Sequence, residues 1–203
     1  MTKIRFLALG DSYTIGTSVE EGERWPVQLA ERLRADSIQV ELTIIAHDGW
    51  TTDELWQGIR EQNPQPPFDM VSLLIGVNNQ YRGYEIEQYR KQFAMLLAEA
   101  IEYAGGDASR VFVVSIPDWG VTPYASEHDR DREQVAYEID AFNAVNREET
   151  LRAGARYVDI TPASRLAAND VSLLAADGLH PSGKMYAMWN DLAYPIALNI
   201  LGR

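Results

Sequence analysis

The stretch LALGDSYTIG, residues 7–16, joins an apolar run to a Gly-Asp-Ser turn. Residues 3–10 read as a short buried strand. At Gly10 the strand gives way to a hydroxyl-rich loop holding Ser12, Thr14, Thr17 and Ser18. A buried strand needs only a turn at its end. In an α/β sheet, however, ligands bind outside the carboxyl ends of the strands, and that is where Ser12 falls. Whether this serine is structural or chemical depends on what the rest of the chain brings to the same edge.

Downstream of this stretch, strand-like and helix-like segments alternate. Strands are expected over 39–46 (QVELTIIA), 70–75 (MVSLLI), 110–116 (RVFVVSI) and 156–160. The 70–75 run is apolar throughout, as befits a central strand covered on both faces. Helices are expected over 26–34, 51–62, 84–104, about 133–153 and 182–201. In the third of these, Ile86, Tyr89, Phe93, Leu96, Leu97, Ala100 and Ile101 recur at helical spacing. Gly105-Gly106 ends that helix, and Ser182 is placed as the N-cap of the last.

The alternation predicts an α/β fold with a five-stranded parallel sheet and helices on both faces. A flavodoxin-like strand order would put a switch point between strands one and three, flanked by the loops that start at Gly10 and Gly76. No repeat or linker divides the chain, so residues 1–203 read as one domain. The segments 11–25 and 117–132 read as long loops, which in a compact domain are more often functional than idle.

Composition narrows the function classes. The chain has 203 residues, 46% hydrophobic and 24% charged, as expected of a globular protein with a sizeable core. A formal net charge of -12 argues against nucleic acid and anionic membrane surfaces, both of which select cationic proteins. Without cysteine there is no disulfide, thiolate zinc site or cysteine nucleophile. The first apolar run, 6–9, is too short for a secretory core, and no run reaches membrane-spanning length. The expectation is a cytoplasmic protein without stable membrane insertion.

A serine hydroxyl is a weak nucleophile until a base takes its proton and a third group orients that base. The chain offers His47, His128 and His180. His180 stands in AADGLHPSG with Asp177 three residues earlier, a spacing at which a carboxylate in a tight loop can reach an imidazole nitrogen. Acyl transfer also needs donors for a developing oxyanion. Gly49, in HDGWTT, offers a backbone N–H past strand two. Asn78, in LIGVNNQ, offers a side-chain amide past strand three, and the N–H of Ser12 is a third donor.

These blocks resemble the SGNH (GDSL-type) hydrolase family. GDSYTIG matches its first block, with Ser12 as nucleophile, and Gly49 matches the second-block glycine. GVNN matches the third, with Asn78 in the oxyanion hole, and DGLHPS the last, with Asp177 and His180 completing the triad. The four blocks fall in order between residues 10 and 183. The resemblance implies a three-layer α/β/α sandwich and metal-free, cofactor-free hydrolysis of a small-molecule, lipid or carbohydrate ester through an acyl-enzyme. The third block departs from the family's Gly-x-Asn-Asp, with Asn79 in place of the aspartate, which puts local hydrogen bonding there in question.

Each residue also has a plainer reading. Ser12 alone reads as a turn or cap serine, Gly49 as a turn glycine and Asn78 as a turn or capping residue. Asp177–His180 alone reads as a surface pair or half a metal site, although no further cluster has ligand spacing. His47 reads as shaping the turn before Gly49, His128 as part of a solvated segment and Asp11 as a hydrogen-bond acceptor for its loop. Trp50, Tyr81, Arg82, Trp119 and Tyr124 follow strand ends as candidate pocket walls. From another class, the hydroxyl-rich loop could cradle a phosphate in a flavodoxin-like binding module, though without the P-loop pattern. An inactive relative is the third reading.

Overall fold

The structure, a computed structural model, describes residues 3–202. Five strands form one parallel sheet: β1 (Lys3–Gly10), β2 (Gln39–Ala46), β3 (Met70–Leu74), β4 (Val111–Val114) and β5 (Arg156–Val158). Their order across the sheet is β2-β1-β3-β4-β5. β3 is central and wholly buried, which explains its unbroken apolar sequence. The switch point lies between β1 and β3, where Gly10 pairs with Leu74.

Five longer helices cover the sheet: α2 (Trp25–Ala35), α3 (Thr52–Gln62), α5 (Ile86–Tyr103), α7 (Arg132–Arg152) and α9 (Gly183–Ile200). α2 packs on α9 on one side, while α3 and α7 both pack on α5 on the other. The alternation of side chains along β1 and β4 feeds both layers. Phe6 and Phe112 stack at 6.2 Å, and both meet Trp25 of α2. On the opposite layer, Tyr89 and Phe93 of α5 pack with Phe142 of α7. The result is an α/β/α sandwich, as the alternation and the family resemblance both predicted. Among the described residues, no helix is long and apolar enough to cross a membrane.

The strand ends and two segments depart from expectation. β3, β4 and β5 stop short of residues 75, 116 and 160. Beyond β4 the Ser115 hydroxyl takes the backbone N–H groups of Ile160 and Thr161 at 2.8 and 3.1 Å, so side chains replace the ladder there. The segments read as long loops instead hold single helical turns. These are α1 (Ser12–Ile15) with a 3₁₀ turn at Glu21–Glu23, and α6 (Pro123–Glu127) preceded by a 3₁₀ turn at Trp119–Val121. Two more short helices, α4 (Val77–Tyr81) and α8 (Thr161–Ser164), follow β3 and β5. Elements of four or five residues are too short to show a hydrophobic period, so nothing in the pattern announces them.

Candidate active site

The nucleophile segment is built by backbone constraint. A Cβ at Gly10 would collide with the Thr14 side chain and the carbonyl of Leu74, so only glycine lets the chain turn this tightly beside β3. Asp11 then caps α1: its Oδ1 accepts the Tyr13 N–H at 3.0 Å, and its carbonyl accepts those of Thr14 and Ile15. Ser12 is therefore the first residue of α1, and the cap is Asp11, not the serine. Gly16, in the left-handed region, closes the turn by donating its N–H to the Ser12 carbonyl. Asp11 is fully buried. Burial carries its carboxyl up to about 8 against the pull of the Tyr13 N–H, and the negative charge of Asp48 adds to the rise.

Asp177 and His180 occupy a loop just before α9. Its ends are tied by a bridge between Leu174 and Pro181, and the Ala175 N–H donates to the His180 carbonyl at 2.7 Å. Asp177 Oδ1 accepts the backbone N–H groups of Leu179 and His180 at 3.0 and 2.9 Å. Its Oδ2 lies 2.6 Å from His180 Nδ1. Partial burial pushes the Asp177 carboxyl up, but hydrogen bonds from Ser18, Leu179 and His180 hold it down at about 2. The carboxylate thus stays ionised and takes an Nδ1–H, which fixes the tautomer that leaves Nε2 free to accept a proton. The His180 ring lies 5.5 Å from that of Tyr13. Among the described residues, no third ligand-type side chain joins this pair.

Ser12, Asn78 and His180 line one cavity of about 120 Å³, together with Tyr13, Asp48, Val77, Tyr81, Trp119, Tyr124 and Leu179. No hydrogen bond joins Ser12 Oγ to His180 among the described residues. Such contacts often tighten only when substrate binds. Asn78 Nδ2 donates to the Trp50 carbonyl at 2.9 Å, which anchors the amide and leaves its second N–H for another acceptor. Gly49 borders Asp48 but does not itself line the cavity. Its φ of 79° demands glycine, and its carbonyl accepts from Arg82 Nη2 at 2.6 Å.

Asn79 is buried and grips Thr52 twice. Its Oδ1 accepts the Thr52 N–H at 3.1 Å, and its Nδ2 donates to Thr52 Oγ1 at 2.8 Å. Thr52 Oγ1 in turn donates to Gln92 at 2.6 Å. The amide therefore ties the start of α3, after β2, to α4, after β3, and the threonine hydroxyl proton points onward to α5.

The sequence over residues 8–188 matches the model of the GDSL-like lipase/acylhydrolase family. The chain belongs to this family. Its enzyme class is that of the carboxylic ester hydrolases. Among solved structures, the family fold recurs with little sequence identity. The chain is similar to TesA (TM-score 0.76, 15% identity), covering 97% of this chain and 99% of that one. It is similar also to the psychrotrophic esterase EstA from Pseudoalteromonas sp. (0.75, 16%), covering 98% and 99%. A third is Axe2, an acetylxylan esterase from Geobacillus stearothermophilus (0.69, 18%), covering 98% and 94%. No curated protein matches the chain.

Within this GDSL-type site, the candidate walls divide. Tyr81, Trp119 and Tyr124 line the cavity; Trp50 and Arg82 do not. Trp50 stacks on His47 and packs against Gly58 of α3, while Arg82 pairs with Glu54 at 3.2 Å and holds Gly49. His128 stacks on Tyr124 with ring centroids 3.9 Å apart, behind the wall. Asp48, which no sequence motif singled out, is the one acidic residue among those described that lines the cavity. Of the hydroxyls proposed for a phosphate cradle, Thr14 is fully buried and Ser18 donates to Asp177.

Proposed function

We propose that the chain hydrolyses a small-molecule carboxylic ester with a short acyl group, using Ser12, His180 and Asp177 as a triad. The observation that carries this reading is the His180 Nδ1–Asp177 Oδ2 contact at 2.6 Å, on a ring that shares one cavity with Ser12 and Asn78. Ser12 Oγ attacks the acyl carbon while His180 Nε2 takes its proton. Asp177 holds the imidazolium that forms. The oxyanion is received by the Ser12 N–H and the free N–H of the Asn78 amide, with the Gly49 N–H as a third donor reaching in from beside Asp48. His180 then protonates the leaving alcohol, and a water activated by the same imidazole releases the acid.

Cavity size supports the acyl preference. At about 120 Å³, below the roughly 150 Å³ of a cavity that accommodates benzene, its walls enclose only a few carbons of an acyl group. The test is turnover of p-nitrophenyl esters from acetate to long chains by wild type and Ser12→Ala. Serine-dependent turnover greatest on the shortest esters is expected. Undiminished turnover by folded Ser12→Ala would overturn the triad, and a long-chain optimum would overturn the acyl preference.

A further inference from the structure

Ser18 is held in an uncommon conformation close to the catalytic loop. The chain leaves α1 through Gly16 and, two residues later, places Ser18 at φ 66°. Glycine would hold this left-handed turn more readily, and a non-glycine residue there invites the question of what its side chain supplies. Ser18 Oγ donates to Asp177 Oδ2 at 2.6 Å, across 159 positions of sequence. The same oxygen faces His180 Nδ1, also at 2.6 Å. Among the described residues, every other hydrogen bond to Asp177 comes from its own loop. Among the described residues, no lysine or arginine pairs with this carboxylate. Ser18 is thus, among the described residues, the one side chain from outside the loop that orients it.

We propose that Ser18 is a positioning residue for the reaction, its hydroxyl locking Asp177 Oδ2 against His180 and tying the nucleophile segment to the acid–base loop. The inference rests on the triad proposed above. Without the hydroxyl, the Asp177 carboxylate loses one of two donors on Oδ2 and gains freedom to rotate about its broad terminal torsion. The carboxylate then concentrates its charge on His180, which favours the imidazolium, while the ring's aim at Ser12 loosens. The titratable and charged groups near the pair are Tyr13 and Asp11 on the nucleophile turn, Asp48 after β2, Tyr81 on α4, Tyr124 on α6 and Tyr186 on α9, with Asp118 and Arg24 acting on Tyr13 and Tyr186 in turn. All of them stay in place in the variants below.

The experiment compares kcat and KM against pH, on p-nitrophenyl acetate, for wild type, Ser18→Gly and Ser18→Asn. Glycine suits the left-handed backbone and removes only the donor; asparagine tolerates the same backbone and restores a donor. For Ser18→Gly, kcat should fall roughly tenfold with KM nearly unchanged, and the acid limb of kcat/KM should move up by a few tenths of a pH unit. Ser18→Asn should recover most of both. A folded Ser18→Gly with wild-type kcat and acid limb overturns the proposal, and so does an equal loss in both variants. Ser18→Ala serves as a second donor-free variant if Ser18→Gly melts early. Ser12→Ala and His180→Ala run alongside: full activity in those sinks the triad itself, whereas their inactivity beside a wild-type-like Ser18→Gly sinks only the role of Ser18.

Discussion

Replacing Asp11 with asparagine should make this protein less sensitive to rising pH. The carboxyl is fully buried, its Oδ1 takes the Tyr13 N–H at 3.0 Å, and its Oδ2 has no partner among the described residues. Burial is the main reason its folded value rises to about 8. In the unfolded chain the same group ionises near roughly 3.9. Between about pH 5 and about pH 7, the folded protein therefore holds one proton that the unfolded chain has released. Stability from this group is fully present below the unfolded value and is lost as pH climbs through the folded one. The slope is about 1.4 kcal/mol per pH unit, or about 3 kcal/mol over that window. Asp11→Asn keeps the acceptor for Tyr13 and cannot ionise. Its second amide proton is buried at a cost that does not change with pH, and every other side chain is common to both proteins. Urea unfolding followed by tryptophan fluorescence, at several pH values across the window, gives the two slopes. Parallel stability–pH lines for wild type and Asp11→Asn would refute a neutral, buried Asp11.

Four further outcomes are expected. Asn78→Ala should lower kcat by roughly a hundredfold or more on the best ester, as loss of one oxyanion donor does; near-wild-type kinetics in a folded variant remove Asn78 from the hole. Asn79→Leu strands the buried Thr52 N–H and takes a donor from Thr52 Oγ1, and should cost about 2–3 kcal/mol in denaturant unfolding; a change below about 0.5 kcal/mol would show the pairing to be idle. Gly76→Ala should destabilise more than Gly49→Ala. Both residues have positive φ, but a Cβ at Gly76 collides with the Tyr89 hydroxyl and meets Ile116 at 2.8 Å whereas one at Gly49 makes only an ordinary contact with Arg82 Nη2 at 3.8 Å, and equal melting temperatures would contradict that steric account. Phe93→Ala, in the α5 layer beside Tyr89, should cost about 3–5 kcal/mol, and a loss under about 1 kcal/mol would mean the layer repacks freely.

Sequence alone determined the order and type of the main elements, because buried strands and amphipathic helices carry their period in consecutive residues. β1 and β2 match their expected bounds, and the α5 face contains the buried residues its spacing named, Tyr89, Phe93, Leu96, Leu97 and Ala100. The Asp177–His180 pair was legible for the same reason, since three residues of tight loop suffice to bring carboxylate and imidazole together. What only the tertiary structure decided lies across the sheet. The reach of Ser18 to Asp177, the grip of Asn79 on Thr52 and the place of Asp48 in the cavity with Ser12, Asn78 and His180 depend on which strand ends become neighbours. Parallel strands in the order β2-β1-β3-β4-β5 put the Gly10, Gly49 and Gly76 turns side by side, and no local pattern records that adjacency. Contacts made within one turn of chain are written in residue spacing. Contacts between distant turns exist only once the buried apolar faces have set the register of the sheet.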